Sequence, residues 1–252
     1  MAGLGYSWGM DSRQTWQPEL VIMLVAALLA GFCLASLAEG LLQGGHIRFF
    51  ETPDSFGNLL LGTLSLQGMT WIWMFLFLKM HRVRWQDLLG FGKPGLGMGL
   101  LLALGCLPVV LMVALPLQYV SGMALTKIGL TPHNQRAVDL FLTTQSPAEL
   151  GYFVFFAVVI APVAEEFLFR AVLYPLARDR GWKTTAWVGV SFLFALIHFD
   201  AAIFIPLFVL ALVLTWLYEK TTCLAAPILL HASFNAANLL LLLAAKWYYS
   251  AT

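Results

Sequence analysis

The chain has 252 residues, 60% hydrophobic and only 11% charged, with a mean hydropathy of +0.83, a balance that no soluble domain sustains over its whole length. A net charge of +1 and a pI near 7.8 exclude a strongly basic face, so nucleic acid is not an expected partner. The three cysteines, Cys33, Cys106 and Cys223, form no CxxC pair and lie in or beside apolar runs, as small core hydrophobes do.

A membrane span needs about 20 mostly apolar residues, and seven stretches qualify or nearly do. The first is 20–42, in which Phe32 before Cys33 breaks the likeness to a lipoprotein cleavage box, so it is expected to remain as an anchor. An acidic-leaning loop, 44–57, leads to the second span, 59–78. A basic loop, 81–93, carries Trp85 at a depth suited to lipid headgroups and precedes the third span, 96–120. An eighth span would need 131–146, which is too polar. Within it, over 132–143, Ala137, Val138, Leu140 and Phe141 imperfectly oppose Asn134, Gln135, Arg136 and Asp139, a pattern that fits either an amphipathic helix at the interface or an ordinary surface turn of helix.

Span four, 150–176, has a legible start: Ser146-Pro147-Ala148-Glu149 supplies a capping Ser, Pro at the first helical position and the Glu of a capping box. Pro162 should kink it and free the carbonyl four residues back, Val158. Span five, 184–199, is short and meets Asp200, so a sharp turn at membrane depth is expected. Spans six and seven are 201–218 and 224–245. The whole, 1–252, reads as one integral-membrane domain, an all-α polytopic transmembrane bundle of about seven spans, eight at most. Nine Lys and Arg (Arg13, Lys79, Arg82, Arg84, Lys93, Arg178, Arg180, Lys183, Lys220) fall on one side and four (Arg48, Lys127, Arg136, Lys246) on the other. Positive-inside logic then predicts a cytoplasmic amino terminus and an external carboxyl terminus.

Glu165-Glu166-Phe167-Leu168-Phe169-Arg170 puts three ionisable side chains inside span four. One such group at mid-bilayer costs roughly 2.5–3.5 kcal/mol on insertion scales, so three need partners, a wet cavity or a chemical task. Glu166 and Arg170 are four apart and can pair, while Glu165 points about 100° away from Glu166. Glu165 is therefore expected to face a cavity and the Glu166–Arg170 pair to brace the helix. Two more polar patterns lie in the membrane. His198 follows Phe194 by one turn, and His231, Asn235 and Asn238 form a seam on span seven that lipid would not tolerate. An acid, two imidazoles and an amide on three spans form a set suited to catalysis. His46, His81 and His133 fall in predicted loops.

The ordered trio Glu-Glu-x-x-x-Arg, Phe-x-x-x-His and His-x-x-x-Asn, spread over residues 150–240, resembles the CAAX prenyl protease and bacteriocin-processing (CPBP, or Abi) family of intramembrane proteases, of type II CAAX endopeptidase kind. The first half of the chain matches only as hydrophobic spans. The resemblance implies that Glu165 activates water and that His198, His231 and Asn235 complete the site, with Glu166, Arg170 and Phe194 supporting. It also implies a peptide or protein substrate at the membrane, near its cytoplasmic side, such as a prenylated carboxyl terminus or a leader peptide, with membrane lipid as the surrounding partner.

Two mechanisms fit. In one, Glu165 deprotonates water while His231 and Asn235 hold the oxyanion and His198 orients the water or leaving group. In the other, Glu165, His198 and His231 bind zinc. The HExxH element is absent, which favours the metal-free version. Alternative functions are a non-proteolytic scaffold or immunity-type binding protein, and an ion-coupled transporter, although no inverted repeat is visible. One geometrical demand follows. Straight helices would put His198 roughly 21 Å above Thr184 and away from Glu165, so span five must tilt, begin below the membrane surface or start later.

Overall fold

The computed structural model describes residues 16–44, 56–130 and 136–251. Most of the 44–57 loop, the first residues of the 131–146 stretch, Arg13, Arg48, His46 and His133 lie outside the described residues. The elements are α1 (Pro18–Gly44), α2 (Phe56–Met80), α3 (Trp85–Leu89), α4 (Leu96–Lys127), α5 (Arg136–Thr143), a long helix α6 (Pro147–Arg178), α7 (Lys183–Leu196), α8 (Ala201–Thr221) and α9 (Ala225–Ala251). Among the described residues there is no strand. Among the described residues six helices, α1, α2, α4, α6, α8 and α9, are long and apolar enough to cross a membrane, and α7 is a shorter apolar helix. Each of the seven expected spans thus corresponds to a helix.

Helices α1 and α4 are apolar around their full circumference, so they bury a narrow stripe and leave Ile22, Leu29, Phe32, Leu101, Met112 and Tyr119 exposed on the outside. That is how a helix facing lipid is expected to look. Helix α1 packs on α2, whereas α8 lies against α4, α7 and α9. One buried cluster joins Trp16, Phe77, Phe167, Phe169, Tyr174 and Phe194. Another joins Ala103, Val110, Leu210, Leu214 and Leu230.

Helix α6 starts as its sequence dictates. Ser146 Oγ accepts from Glu149 N (3.4 Å), with Pro147 at the first turn. The return bond of a capping box takes a detour: the Glu149 carboxylate accepts from the Thr144 hydroxyl, and Thr144 Oγ accepts from Ser146 N (3.2 Å). The α5 segment just before it buries Phe141 edge-on against Phe153, 5.9 Å between ring centres. Lys246 Nζ ties the junction to α9 by donating to Thr144 O at 2.7 Å.

Further along, α6 is not uniformly wound. It is π-helical over Phe156–Ile160 and Phe167–Leu173, leaving only Ala161–Glu166 in regular α geometry between them. Both π runs stop where the next donor would be a proline. Their last bonds are Ala161 N to Phe156 O and Tyr174 N to Phe169 O, and residues 162 and 175 have no N–H to continue them.

Helices α6 and α7 form a hairpin whose turn is stapled by Glu219 of α8. That carboxylate accepts from Tyr174 Oη (3.0 Å), Arg178 (3.4 Å) and Lys183 Nζ. The staple answers the geometrical demand raised above. From the turn, Glu165 lies 13 residues up from Arg178 and His198 lies 15 residues up from Lys183, or about 20 and 22 Å at 1.5 Å per residue. Counted from that turn, the two residues come to about the same level. Helix α7, 14 residues or about 21 Å, stops short of a roughly 30 Å hydrocarbon core. The chain turns there through Phe199, at φ 50°, and Asp200 caps α8 by accepting from Ala202 N at 2.9 Å.

At the Glu219 end of the bundle, α3 is docked on the turn between α8 and α9. Leu224 N donates to Leu88 O (3.1 Å) and Cys223 Sγ donates to Leu89 O (2.9 Å). Gly90 is required there twice over, by its φ of 82° and because a Cβ would stand 2.8 Å from Cys223 Sγ.

Candidate active site

The buried centre is Glu166. Its Oε1 accepts from Arg170 (2.9 Å) and from His231 Nδ1 (2.8 Å), and the Glu166 and Arg170 side chains are 0% exposed. Arg170 also donates to Ala211 O of α8 (3.2 Å), and its guanidinium lies 4.6 Å from the ring centre of Phe194. A charge buried this deeply persists only when paired and hydrogen-bonded. Here the partners come from α6, α8 and α9, so the pair also fixes how three helices meet. Glu166 Oε2 and Arg170 Nε remain without a partner, so the site retains unsatisfied polarity.

The hydrogen bond to Glu166 decides what His231 can do. A carboxylate only accepts, so Nδ1 carries a proton and the opposite nitrogen, Nε2, is turned outward. Nε2 stands 3.8 Å from Glu165 Oε2, and the Glu165 side chain is 18% exposed. The pairing of Glu166 with Arg170 and the separate direction of Glu165 follow the helical spacing. That Glu166 also holds an imidazole of α9 could not be read from the sequence.

His198 is half-buried at the end of α7. Its Nδ1–H donates to Phe194 O (2.7 Å), which likewise leaves Nε2 open. Phe194 is 0% exposed and separates the two imidazoles, its ring centre 5.0 Å from that of His198 and 5.6 Å from that of His231. It therefore touches Arg170, His198 and His231 at once, which explains a phenylalanine one turn before the histidine. Asn235 lies one turn beyond His231 and donates Nδ2–H to Ala157 O at 2.8 Å. Ala157 is the carbonyl that a π-type bond from residue 162 would have taken, so Asn235 replaces the donor Pro162 lacks. Asn238 bonds its own helix at Phe234 O (2.9 Å).

Zinc in a catalytic site takes three protein ligands at about 2.0–2.2 Å. Among the described residues, no three His, Cys, Asp or Glu side chains are grouped to hold a metal ion. The donor set as placed does not fit the ion.

The fold and site define a polytopic helical membrane protein with a carboxylate and imidazole cluster buried in its bundle. Residues 147–237, which hold all three motifs, match the family model described as type II CAAX prenyl endopeptidase Rce1-like. The UPF0177 protein YxdF of Lactococcus lactis subsp. lactis (strain IL1403) is 31% identical over 78 residues, 31% of this chain and 42% of that protein. The chain thus spans less than half of that relative's length. No solved structure matches.

Proposed function

We propose that this chain is an intramembrane endopeptidase that hydrolyses a peptide bond of a membrane-associated substrate by metal-free glutamate chemistry. The observation that carries this reading is the facing of Glu165 Oε2 and His231 Nε2 across 3.8 Å, with the imidazole oriented from behind by Glu166. A gap of that width suits one water bridging two polar groups. Glu165 takes a proton from this water as it attacks the peptide carbonyl and passes it to the departing amine. Asn235 has a second Nδ2–H beyond the one given to Ala157, available to the carbonyl oxygen as negative charge builds there. His198, its Nε2 open, lies one phenylalanine ring away and serves the leaving group.

The substrate class is a peptide held at the membrane, such as a prenylated carboxyl terminus or a leader peptide. The family resemblance puts the peptide that is cut near the cytoplasmic side of the membrane. The test is mass-spectrometric profiling of new peptide termini in membranes carrying the wild type or Glu165→Gln at matched levels. Termini found only with the wild type are expected, with turnover reduced by about 10²–10⁴-fold or more in the variant. Identical profiles from two folded, equally abundant proteins would overturn the reading.

A further inference from the structure

Trp16 stands before α1, about 150 positions from the motif helix, yet it is buried at 7% exposure in the cluster around Phe167, Phe169 and Tyr174. Its ring packs against Phe77 (4.7 Å) and His81 (4.9 Å) of the α2 end, and its indole Nε1–H donates to Ala171 O at 2.6 Å. Ala171 is four residues before Pro175, so its carbonyl is the one an α-helical N–H at position 175 would have taken. The second π run breaks off at this point. Arg170, which holds Glu166, is the neighbouring residue.

We propose that Trp16 is a positioning residue for the candidate site: it supplies the hydrogen-bond donor that Pro175 lacks and so holds the π-helical turn that aims Arg170 at Glu166. Asn235 and Trp16 are then two halves of one device. Each is a side chain from outside α6 that satisfies a carbonyl left free where a π run ends at a proline, Ala157 at the π interval from Pro162 and Ala171 at the α interval from Pro175, one on either side of the short Ala161–Glu166 segment. Leaving such a buried carbonyl unpaired is costly enough that the turn would rewind to recover a partner. Rewinding rotates Arg170 and, through Glu166, His231. The proposal deepens the protease reading, on which only its activity readout rests.

The test uses the full chain in detergent or nanodiscs, with Trp16→Phe, Pro175→Ala and the double variant. Phenylalanine keeps the ring packing and removes the donor, while alanine at 175 restores a backbone N–H and makes the indole donor dispensable. Trp16→Phe is expected to lower kcat several-fold with little change in KM and to speed amide exchange over residues 165–174 by at least about fivefold. In the Pro175→Ala background both effects should shrink to within about twofold. An equal loss in both backgrounds would show that Trp16 acts by packing alone and would overturn the proposal. If the wild type itself cleaves nothing, the protease reading fails and the exchange data alone decide the role of Trp16.

Discussion

Glu165 and Glu166 are neighbours in sequence and opposites in circumstance. Glu166 is fully buried with three helices depending on it, and Glu165 keeps an accessible face. Substitution should separate them. Glu166→Gln leaves the Arg170 charge buried without its counter-charge, so it is expected to destabilise the protein by about 3–5 kcal/mol, read as a lower melting temperature in detergent. Glu165→Gln should melt like the wild type and lose only turnover. The same residues bear on metal dependence. Because the described His, Cys, Asp and Glu side chains form no three-ligand group, cleavage is expected to survive exhaustive chelation. Loss on chelation, with recovery on adding back zinc alone, would reverse that. Sequence spacing is a good guide here because Glu166 and Arg170 share one helix, where four residues make one turn. It is blind to the Glu166–His231 bond, since nothing in a one-dimensional pattern tells which carboxylate faces a residue 65 positions away.

At the scale of the element, α6 shows how two prolines can organise a helix. The sequence expectation counts four residues back from Pro162, to Val158, because that is the α-helical interval. The π winding over Phe156–Ile160 lengthens the interval to five, and Ala157 is the carbonyl that Asn235 meets. The start of α6 is legible because capping is local. The winding is not, because it depends on donors brought by α9 and by the segment before α1. Asn235 therefore has a structural bond as well as a proposed chemical one, and these can be parted. Asn235→Ala should lower both stability, by about 1–3 kcal/mol, and turnover. Adding Pro162→Ala restores a backbone N–H to the helix and should recover the stability. Turnover should remain low if the second amide hydrogen serves the reaction, and its recovery would assign Asn235 to the helix alone. The sequence expectation counts His198 up from Thr184 and sets it apart from Glu165. Counting both residues from the Glu219 staple brings them level, and nothing in the sequence marks Glu219 as the place to count from.

For the whole molecule, the motif-bearing half is the half whose function the sequence can suggest, while α1 and α2 read only as apolar spans. Their role shows in packing: Phe77 of α2 meets Phe167 edge-on at 6.1 Å, and Trp16 reaches Ala171. The bundle's two ends differ in charge as the sequence suggested. Lys79, Arg82, Arg84, Lys93, Arg178, Arg180, Lys183 and Lys220 lie on the turns at one end, joined there by the Glu219 staple and the docking of α3, against Lys127, Arg136 and Lys246 towards the other. Cytoplasmic loops carry the excess of Lys and Arg, so the first end should face the cytoplasm. With Cys33, Cys106 and Cys223 replaced, single cysteines at Gln145 and Arg180, both exposed, report on the two ends. A membrane-impermeant maleimide applied to intact cells should label Gln145→Cys and reach Arg180→Cys only after permeabilisation. The reverse pattern would put the Glu219 end outside. Substrates would then be peptides presented at the outer surface, and the search for them would move to the other face of the membrane.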